Sequence, residues 1–471
     1  MNLKGNYFSK QECERIHEMS LKVLEEMGCF FDDDYALEVF KKAGAIVEGN
    51  VVKMPSKLVN DALKTCPSSF EVYGRNGKKI TVGGDNQIIA PESGALNVLD
   101  EHGIHRNLAI DFLNFQKLHH NSTLIDIMNP NLIEPSDIPR EIVRDYQMAV
   151  CLKYSDKPMI GLTTSVQDTI NSIEMTQKFI GREDNVIIGI ISVISPCKYD
   201  KTMLDALKIC VERNQPIMVA CCSQPGATSP VSVFGTLVID NAQVLAGIVY
   251  AQLLKPGAEI LYGNTTGGCD LRHASPAIGS AETSMFIFGS AAMCRYYNIP
   301  CRTGGSLADA KAINWQNGVE STITLLPAIM STSNFILHSC GLMDSFNMLS
   351  YAKFILDEQN IEMFRYMVKG KEILVDDETI KEELQNIIEA GPGGQFLDCD
   401  HTLENFREHL YTPVLFNKMG YASYVNIGSP SVEENALKLA RKRIENYVYP
   451  EITKEQEDIL RSYIGDLIDT I

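Results

Sequence analysis

From about residue 87 onward, short runs rich in isoleucine and valine alternate with longer stretches of helical periodicity. Runs that are apolar nearly throughout are typical of parallel strands covered on both faces. The predicted strands are Gln87–Ala90, Thr123–Met128, Pro158–Leu162, Val186–Val193, Ile217–Cys221, Glu259–Tyr262, Pro300–Thr303 and Phe335–Ser339. The predicted helices are Asp111–His120, Pro139–Lys153, Gln167–Ile180, Lys201–Arg213, Leu237–Leu254, Ile278–Tyr297, Asn317–Met330 and Phe346–Met367.

Eight strands in alternation with eight helices predict an α/β fold of the (β/α)₈ TIM-barrel type. A doubly wound open sheet is the alternative, but no Gly-x-Gly-x-x-Gly follows the first strand and no P-loop is present. We expect three parts: a small α+β lead-in over residues 1–85, the barrel over 86–367, and a helical C-terminal extension over 368–471. In the lead-in, Ser9 and Glu12 have the spacing of a capping box, and Asn76-Gly77 predicts a hairpin turn.

Charge and cysteine content restrict the class of protein. A net charge of −18 argues against a nucleic-acid partner and against an anionic membrane surface. The 13 cysteines are an odd number without a Cys-x-x-Cys pair, which indicates reduced thiols in the cytoplasm. The N-terminus lacks the apolar segment of a signal peptide, and no uninterrupted apolar run is long enough for a transmembrane helix.

In a barrel of this type, chemistry collects where the strands end. The predicted strand ends are polar, mostly neutral and rich in Gly, Ser and Thr, without a Schiff-base lysine or a cluster at metal-ligand spacing. Glu92 and His338 are the candidates for acid–base chemistry there, which keeps a lyase or hydrolase open. His338 is equally well read as a core histidine, and Trp315 as a helix anchor. Asp270 and Arg272 could simply pair within their own loop.

Several segments resemble the trimethylamine:corrinoid methyltransferase superfamily, or MttB family. The main one is GCDLRHASPAIGSAE, from Gly268 to Glu282. Further segments that resemble the family are YGRN from Tyr73, GSLADAK from Gly305 followed by QNGVE from Gln316, HSCG from His338, and GPGGQFL from Gly391 followed by His401-Thr402. Together they extend over nearly the whole chain.

The resemblance implies a barrel that transfers a methyl group from a methylamine to the cobalt of a separate corrinoid protein. Founding members carry pyrrolysine, and this chain has none, so it resembles the non-pyrrolysine branch that demethylates quaternary amines such as glycine betaine, proline betaine and carnitine. We therefore expect a corrinoid supplied by a partner protein, no bound metal, and a cytoplasmic homo-oligomer. A betaine-binding scaffold without catalytic activity is the remaining alternative.

The chemistry of such a substrate guides the choice of site residues. A quaternary ammonium has no lone pair and leaves as a neutral tertiary amine, so no residue is assigned as an acid or a base, and positioning and electrostatics carry the reaction. Aromatic faces and acceptors suit the cation, and donors suit a carboxylate. The expected substrate-binding residues are Glu92, Tyr262, Asn264, Arg302, Trp315, Gln316, His338 and Phe396. The expected corrinoid-facing residues are Gly263, Thr265, Gly267, Gly268, Asp270, Arg272, Gly304 and Gly305.

Overall fold

A computed structural model describes residues 7–370 and 375–471. The lead-in contains three helices, α1 (Lys10–Lys22), α2 (Asp34–Lys42) and α3 (Ser56–Leu63), and a π-helical turn over Val23–Met27. Its strands are β1 (Cys29–Phe31), β2 (Ile46–Glu48), β3 (Val51–Lys53), β4 (Ser69–Tyr73) and β5 (Lys79–Gly83). The capping box is present, since Ser9 Oγ accepts from the Glu12 N–H and Glu12 Oε2 accepts from the Ser9 N–H.

The central part of the chain alternates strands and helices. The strands are β6 (Ile88–Ile89), β7 (Asn97–Asp100), β8 (Gly103–Arg106), β9 (Met159–Ile160), β10 (Ile187–Val193), β11 (Lys198–Tyr199), β12 (Ile217–Cys221), β13 (Ile260–Asn264), β14 (Gly268–Asp270), β15 (Ser275–Ala277), β16 (Cys301–Gly304), β17 (Phe335–Leu337), β18 (Leu342–Met343) and β19 (Met348–Ser350). The helices are α4 (Ala109–Asn121), α5 (Val143–Tyr154), α6 (Val166–Ile180), α7 (Lys201–Glu212), α8 (Val233–Leu254), α9 (Ala281–Tyr297), α10 (Trp315–Met330) and α11 (Tyr351–Lys369).

Seven of these strands form a curled parallel sheet in the order β6-β17-β16-β13-β12-β10-β9. The predicted strand Thr123–Met128 is too irregular to count as a strand, yet it fills the remaining gap. The Asp126 N–H donates to the Ile89 carbonyl at 2.9 Å, and the Ile160 N–H donates to the Met128 carbonyl at 2.8 Å. The segment therefore bridges β6 and β9, and the predicted barrel closes with eight members.

Three helix starts were predicted too early, because α5 begins at Val143 rather than Pro139, and two further starts bear on the site. The pattern placed a helix from Phe346, but Met348–Ser350 pairs in parallel with Asn97–Asp100, so α11 begins only at Tyr351. The pattern also placed a helix from Ile278, whereas Ser280 caps α9 by accepting from the Thr283 N–H. In these two cases the residues before the cap belong to the connections on the carboxyl-terminal side of the barrel.

The hairpin β4–β5 closes the amino-terminal end of the barrel. Its Phe70, Val72, Ile80 and Val82 pack against the lowest inward-facing side chains of the strands, among them Met218. Tyr73 donates its N–H to the carbonyl of Asn185, just before β10 begins. Because this end is filled with apolar side chains, a ligand can reach the barrel interior only from the carboxyl-terminal end.

The C-terminal part contains α12 (Asp377–Ala390), α13 (Asp400–His409), α14 (Tyr421–Asn426), α15 (Val432–Glu445), α16 (Lys454–Ile464) and a 3₁₀ turn over Gly465–Thr470. α15 packs on α4 and α11, and α16 packs on α5 and α6. By contrast, α12, α13 and α14 bury no side chain. The division at residues 85 and 367 stays a prediction, since lead-in, barrel and extension share one hydrophobic cluster.

Within the described residues, α8 alone is long and apolar enough to cross a membrane. In this fold 83% of its most apolar stretch is buried inside the protein, where it packs against α1, α3, α9 and two barrel strands.

Replacement of Phe70 by alanine tests the closing role of the hairpin. Phe70 is 4% exposed, so Phe70→Ala should lower the free energy of unfolding by about 3–5 kcal/mol, as expected for a cavity in a packed core. Urea unfolding followed by far-UV circular dichroism measures the loss. Lys78→Ala, in the exposed turn of the same hairpin, should change it by less than about 0.5 kcal/mol. Equal effects of the two substitutions would contradict a closing role.

Candidate functional site

A cavity of about 620 Å³ opens at the carboxyl-terminal end of the barrel strands. Its walls come from several strand ends and the loops after them. The lining residues include Ser93, Asn131, Thr163, Thr164, Ser192, Asp200, Met203, Cys222, Thr265, Arg302, His338 and Phe346. A larger cleft of about 1030 Å³ lies outside the barrel between α1, α3 and α9. We take the smaller cavity as the site, because the larger cleft is wide open to solvent and lies away from the strand ends.

Arg302, on β16, is the most unusual residue of the cavity. Its side chain is 3% exposed, its Nε has no hydrogen-bond partner, and no described carboxylate forms a salt bridge with it. Burial lowers its pKa from the ordinary arginine value to about 10, and the thiols of Cys222 and Cys221 oppose this shift only in part. A buried cation without a counter-ion is costly, so the cavity is built to receive an anion.

His338 follows β17 and lies beside Arg302. Burial, and then the positive charge of Arg302, hold its pKa well below the ordinary value of 6.5. The imidazole is therefore neutral, and its Nδ1 has no hydrogen-bond partner. Its backbone adopts a φ of 61°, in the left-handed region that a residue with a side chain seldom occupies. This placement keeps a neutral polar ring at the cavity wall.

Phe346 reaches the cavity from a strained turn between β18 and β19. Asp344, Ser345 and Phe346 have φ values of 50°, 50° and 75°, a run of three non-glycine residues that costs on the order of 1–3 kcal/mol each. Ser345 Oγ donates to Asp309 Oδ1 at 2.6 Å and holds the turn. The Phe346 ring packs edge-on against His338 with a centroid distance of 5.1 Å. The strain therefore maintains an aromatic wall over the cavity.

Asp200 lies on the wall formed after β10. It is the N-cap of α7 and accepts a hydrogen bond from the Met203 N–H at 2.9 Å. Thr163, Thr164 and Ser192 line the same side, so this wall offers a carboxylate and several hydroxyl groups. Sequence reasoning missed Asp200 and Phe346. The aspartate resembles an ordinary helix cap, and the phenylalanine fell inside a predicted helix.

Tyr262 and Asn264 do not line the cavity. Their side chains lie on the outer face of β13, where the Tyr262 hydroxyl donates to Asn241 Oδ1 at 3.2 Å and Asn264 Nδ2 donates to Asp240 Oδ2 at 3.1 Å. Alternation along the strand sends Leu261 into the barrel instead, and Thr265 reaches the cavity. Counting the alternation from Leu261 would have separated the two faces.

Glu92 is fully buried and does not line the cavity. Its Oε1 lies 3.3 Å from His119 Nε2 on α4, and its Oε2 has no partner. The structure therefore does not bring Glu92 and His338 together as an acid–base pair. A carboxylate directly after a strand carries no sequence signal that tells which way its side chain turns.

Trp315, Gln316 and Phe396 also lie outside the cavity. Trp315 begins α10 and is 87% exposed, and Gln316 donates to Glu320 Oε1 at 2.6 Å on the same helix. Phe396 lies in the connection between α12 and α13 and is 46% exposed. Of the predicted substrate-binding residues, the structure thus brings only Arg302 and His338 to the cavity.

The predicted corrinoid-facing residues divide into two groups. Thr265 lines the cavity, whereas Gly263, Gly304 and Gly305 lie on closely packed strand ends, where a Cβ on Gly263 would come within 2.8 Å of Ala220 Cβ. Gly267 precedes the hairpin β14–β15, which contains Gly268 and Asp270 in β14 and Arg272 in its turn.

The turn of this hairpin is held by charge. The Arg272 guanidinium donates two hydrogen bonds to Asp270 and its backbone N–H a third, and His273 Nδ1 lies 2.8 Å from the same carboxylate. These bonds hold the pKa of Asp270 well below its ordinary value. The local pairing weighed in the sequence is therefore present.

Comparison with known proteins gives matches over nearly the whole chain. A family model described as "Trimethylamine methyltransferase (MTTB)" matches residues 3–467. A "Glycine betaine methyltransferase" of Desulfitobacterium hafniense is 34% identical over 98% of this chain and 97% of the relative. A "Proline betaine:corrinoid methyltransferase" and an "L-carnitine:corrinoid methyltransferase" of Eubacterium limosum are each 32% identical, over 98% and 99% of this chain and 97% and 98% of those proteins.

Among solved structures, the monomethylamine methyltransferase MtmB of Methanosarcina barkeri aligns over 93% of both chains. The TM-score is 0.52 and the sequence identity 14%, so this likeness supports the fold alone.

Titration of His338 tests the electrostatics of the site. Since burial and Arg302 depress the pKa of His338, its ring should stay neutral as the pH falls through 6.5, where an ordinary histidine is half protonated. The contribution of His338 to stability should accordingly be lost only at pH values below 6.5, where protonation accompanies unfolding. NMR of histidine-labelled protein, with His338→Gln for assignment, measures the titration midpoint of His338. A midpoint at or above 6.5 would contradict this environment.

Proposed function

Because the chain belongs to the trimethylamine methyltransferase (MTTB) family, we propose that it is an enzyme that transfers a methyl group from a quaternary amine to the Co(I) of a corrinoid protein. Relatives that act on glycine betaine, proline betaine and L-carnitine, by their names, match it along nearly its whole length. The cavity at the carboxyl-terminal end of the barrel is the place where this transfer occurs.

The observation that carries the choice of substrate is the unpaired, buried Arg302. A guanidinium presents parallel N–H donors that match the two oxygens of a carboxylate. Trimethylamine has no such group, whereas glycine betaine, proline betaine and carnitine all carry one. The substrate is therefore a betaine whose carboxylate binds Arg302, with neutral His338 beside it.

The reaction requires positioning more than proton transfer. The corrinoid protein supplies a Co(I) nucleophile, and the amine leaves as a neutral tertiary amine. This chain contributes a closed barrel floor, a fixed aromatic wall at Phe346 and a buried cation that fixes one end of the substrate. Holding the substrate in one orientation lowers the entropic part of the activation barrier. Neither pyrrolysine nor a metal bound by this chain has a part in it.

The rim of the cavity is the proposed docking surface of the corrinoid protein. Apolar side chains are exposed on the loops and helix starts after the barrel strands, among them Val231, Phe234, Leu271 and Trp315. Exposed apolar groups around a polar cavity are typical of a protein-binding surface. Trp315, predicted as a substrate ligand, thus fits a contact with the partner instead. The paired turn of Asp270 and Arg272 stands beside it.

The lyase or hydrolase alternative loses its support, because Glu92 pairs with His119 and does not reach the cavity. We also infer a cytoplasmic location, where the 13 free thiols stay reduced. A net charge of −18 favours neither nucleic acid nor an anionic membrane as a partner.

We further infer that the enzyme is a homo-oligomer that assembles through the segment from Val375 to Ile427. Fifteen apolar side chains of this segment are exposed, and on α12 Ile380, Leu384, Ile387 and Ile388 share one face. The fifteen side chains together expose enough apolar surface for a standard interface, to which each partner contributes about 800 Å². Helices that bury no side chain within their own chain need a lasting partner for their apolar faces. A second copy provides this contact permanently, whereas a corrinoid protein must dissociate after each methyl transfer.

The proposed activity is tested by mixing the purified chain with a corrinoid protein held as Co(I). Glycine betaine, proline betaine or carnitine should convert the corrinoid to its methylated form, which is seen in its visible spectrum. Trimethylamine and choline should react at least about tenfold more slowly, since neither offers Arg302 a carboxylate. No methylation with the three betaines, or equal rates with all five compounds, would overturn the proposal.

Assembly is tested by the double substitution Leu384→Asp and Ile388→Asp. Light scattering after gel filtration should give a dimer or larger mass for the natural chain and a lower mass for the variant, because two carboxylates cannot be buried unpaired. Glu382→Gln, on the polar side of the same helix, is the matched control and should keep the natural mass. A natural chain that runs as a monomer would contradict the inference.

A further inference from the structure

We propose that the cavity is polarised for a zwitterion, with Arg302 binding the carboxylate and Asp200 facing the quaternary ammonium. The inference rests on the proposed function and adds the orientation of the substrate. The sequence around Asp200 indicates only a helix cap and does not predict this role. The argument depends on where the two charges stand, on what else they contact, and on what lies between them.

The two charges stand on opposite walls. Around the barrel the order is β6, the segment 123–128, β9, β10, β12, β13, β16 and β17. Arg302 belongs to β16, and Asp200 lies in the connection that follows β10, directly after β11. Counted around the barrel, β10 is three strands from β16 in one direction and five in the other. Both residues line the same cavity of about 620 Å³. A ligand that fills the cavity therefore lies between a cation and an anion.

Neither charge is satisfied by the protein. Arg302 has an unpartnered Nε and no salt bridge to a described carboxylate. Asp200 accepts one hydrogen bond, from the Met203 N–H, and no described lysine, arginine or histidine pairs with it. The two groups are not brought within salt-bridge distance of one another. A zwitterion placed between them would offer each an opposite charge in a partly desolvated site, where such pairing is strongest.

The surroundings of Asp200 suit a quaternary ammonium. This cation cannot donate a hydrogen bond, so it gains from acceptors and polarisable groups around it rather than from one directed partner. Thr163, Thr164 and Ser192 contribute hydroxyl oxygens, and Met203 contributes a thioether on the same wall. The Arg302 wall, in contrast, contributes His338, a neutral ring with a free Nδ1 beside the carboxylate position.

The charge of Asp200 has a defined kinetic consequence. The positive charge of the ammonium decreases as the methyl group leaves, so Asp200 stabilises the bound substrate more than the transition state. Loss of this carboxylate should therefore raise KM while kcat is unchanged or higher. Replacement of a residue that only supports the fold would lower kcat together with the free energy of unfolding.

The test is calorimetric binding of three ligands of nearly equal shape, without a corrinoid. Glycine betaine carries both charges, choline carries only the cation, and 3,3-dimethylbutyrate carries only the carboxylate on an uncharged tert-butyl group. Asp200→Asn should lower the affinity for glycine betaine and for choline at least about tenfold. The affinity for dimethylbutyrate should be unchanged or higher. Asparagine retains the helix cap, so α7 stays intact. Arg302→Met should lower the affinity for glycine betaine and dimethylbutyrate and leave the affinity for choline unchanged.

Asp205→Asn is the matched control, because it removes the same charge one turn further along α7, from a residue that pairs with Lys201 and does not line the cavity. It should change none of the three affinities. Unchanged glycine betaine affinity in Asp200→Asn, or one common loss for all ligands in both variants, would overturn the proposal. Absence of binding to the natural chain would overturn it as well. Binding with the expected pattern but without methyl transfer would instead refute the proposed function alone.

Discussion

The charge of Arg302, buried and without a counter-ion, governs what the cavity can bind. Taking a guanidinium out of water costs several kcal/mol unless an anion and hydrogen bonds replace the lost hydration. The protein provides neither among its described residues, so the compensation comes from the ligand. Burial, and then this same charge, depress the pKa of His338 and keep its ring neutral. One unpaired cation thus sets the preference for a carboxylate and, together with burial, keeps the one imidazole among the described cavity-lining residues unprotonated.

The remainder of the fold maintains this arrangement. Apolar side chains of the hairpin β4–β5 and of the inner strand faces fill the lower barrel, so that water and ligand reach only the upper part. Outside the strands, Asp240 accepts from Ser223 and Asn264, and Lys353 pairs with Asp357 at 2.5 Å while Asp357 also accepts from the Gly341 N–H. These buried networks hold the strand ends and the loops after them. The strained turn at Phe346 is stable because Asp309 fixes it from a neighbouring loop.

Prediction from the sequence succeeded where periodicity decides and failed where side-chain direction decides. Eight alternating apolar runs were sufficient for the barrel, even though Thr123–Met128 closes it without regular strand geometry. His338 was found because it stands at a strand end, and Arg302 because a carboxylate needs donors. Tyr262 and Asn264 also stand at a strand end, but their side chains point to α8, since alternate residues of a strand face opposite sides. Asp200 and Phe346 depend on a long loop and a turn with positive φ, for which local pattern carries no signal.

A crystal structure of the chain with glycine betaine tests the central claim most directly. The account predicts that both carboxylate oxygens lie within hydrogen-bond distance of the Arg302 guanidinium, at about 2.7–2.9 Å. The three methyl groups should then face Asp200 on the opposite wall, with one of them directed toward the open mouth. A bound betaine whose carboxylate points away from Arg302, while the guanidinium stays unpaired, would contradict the account.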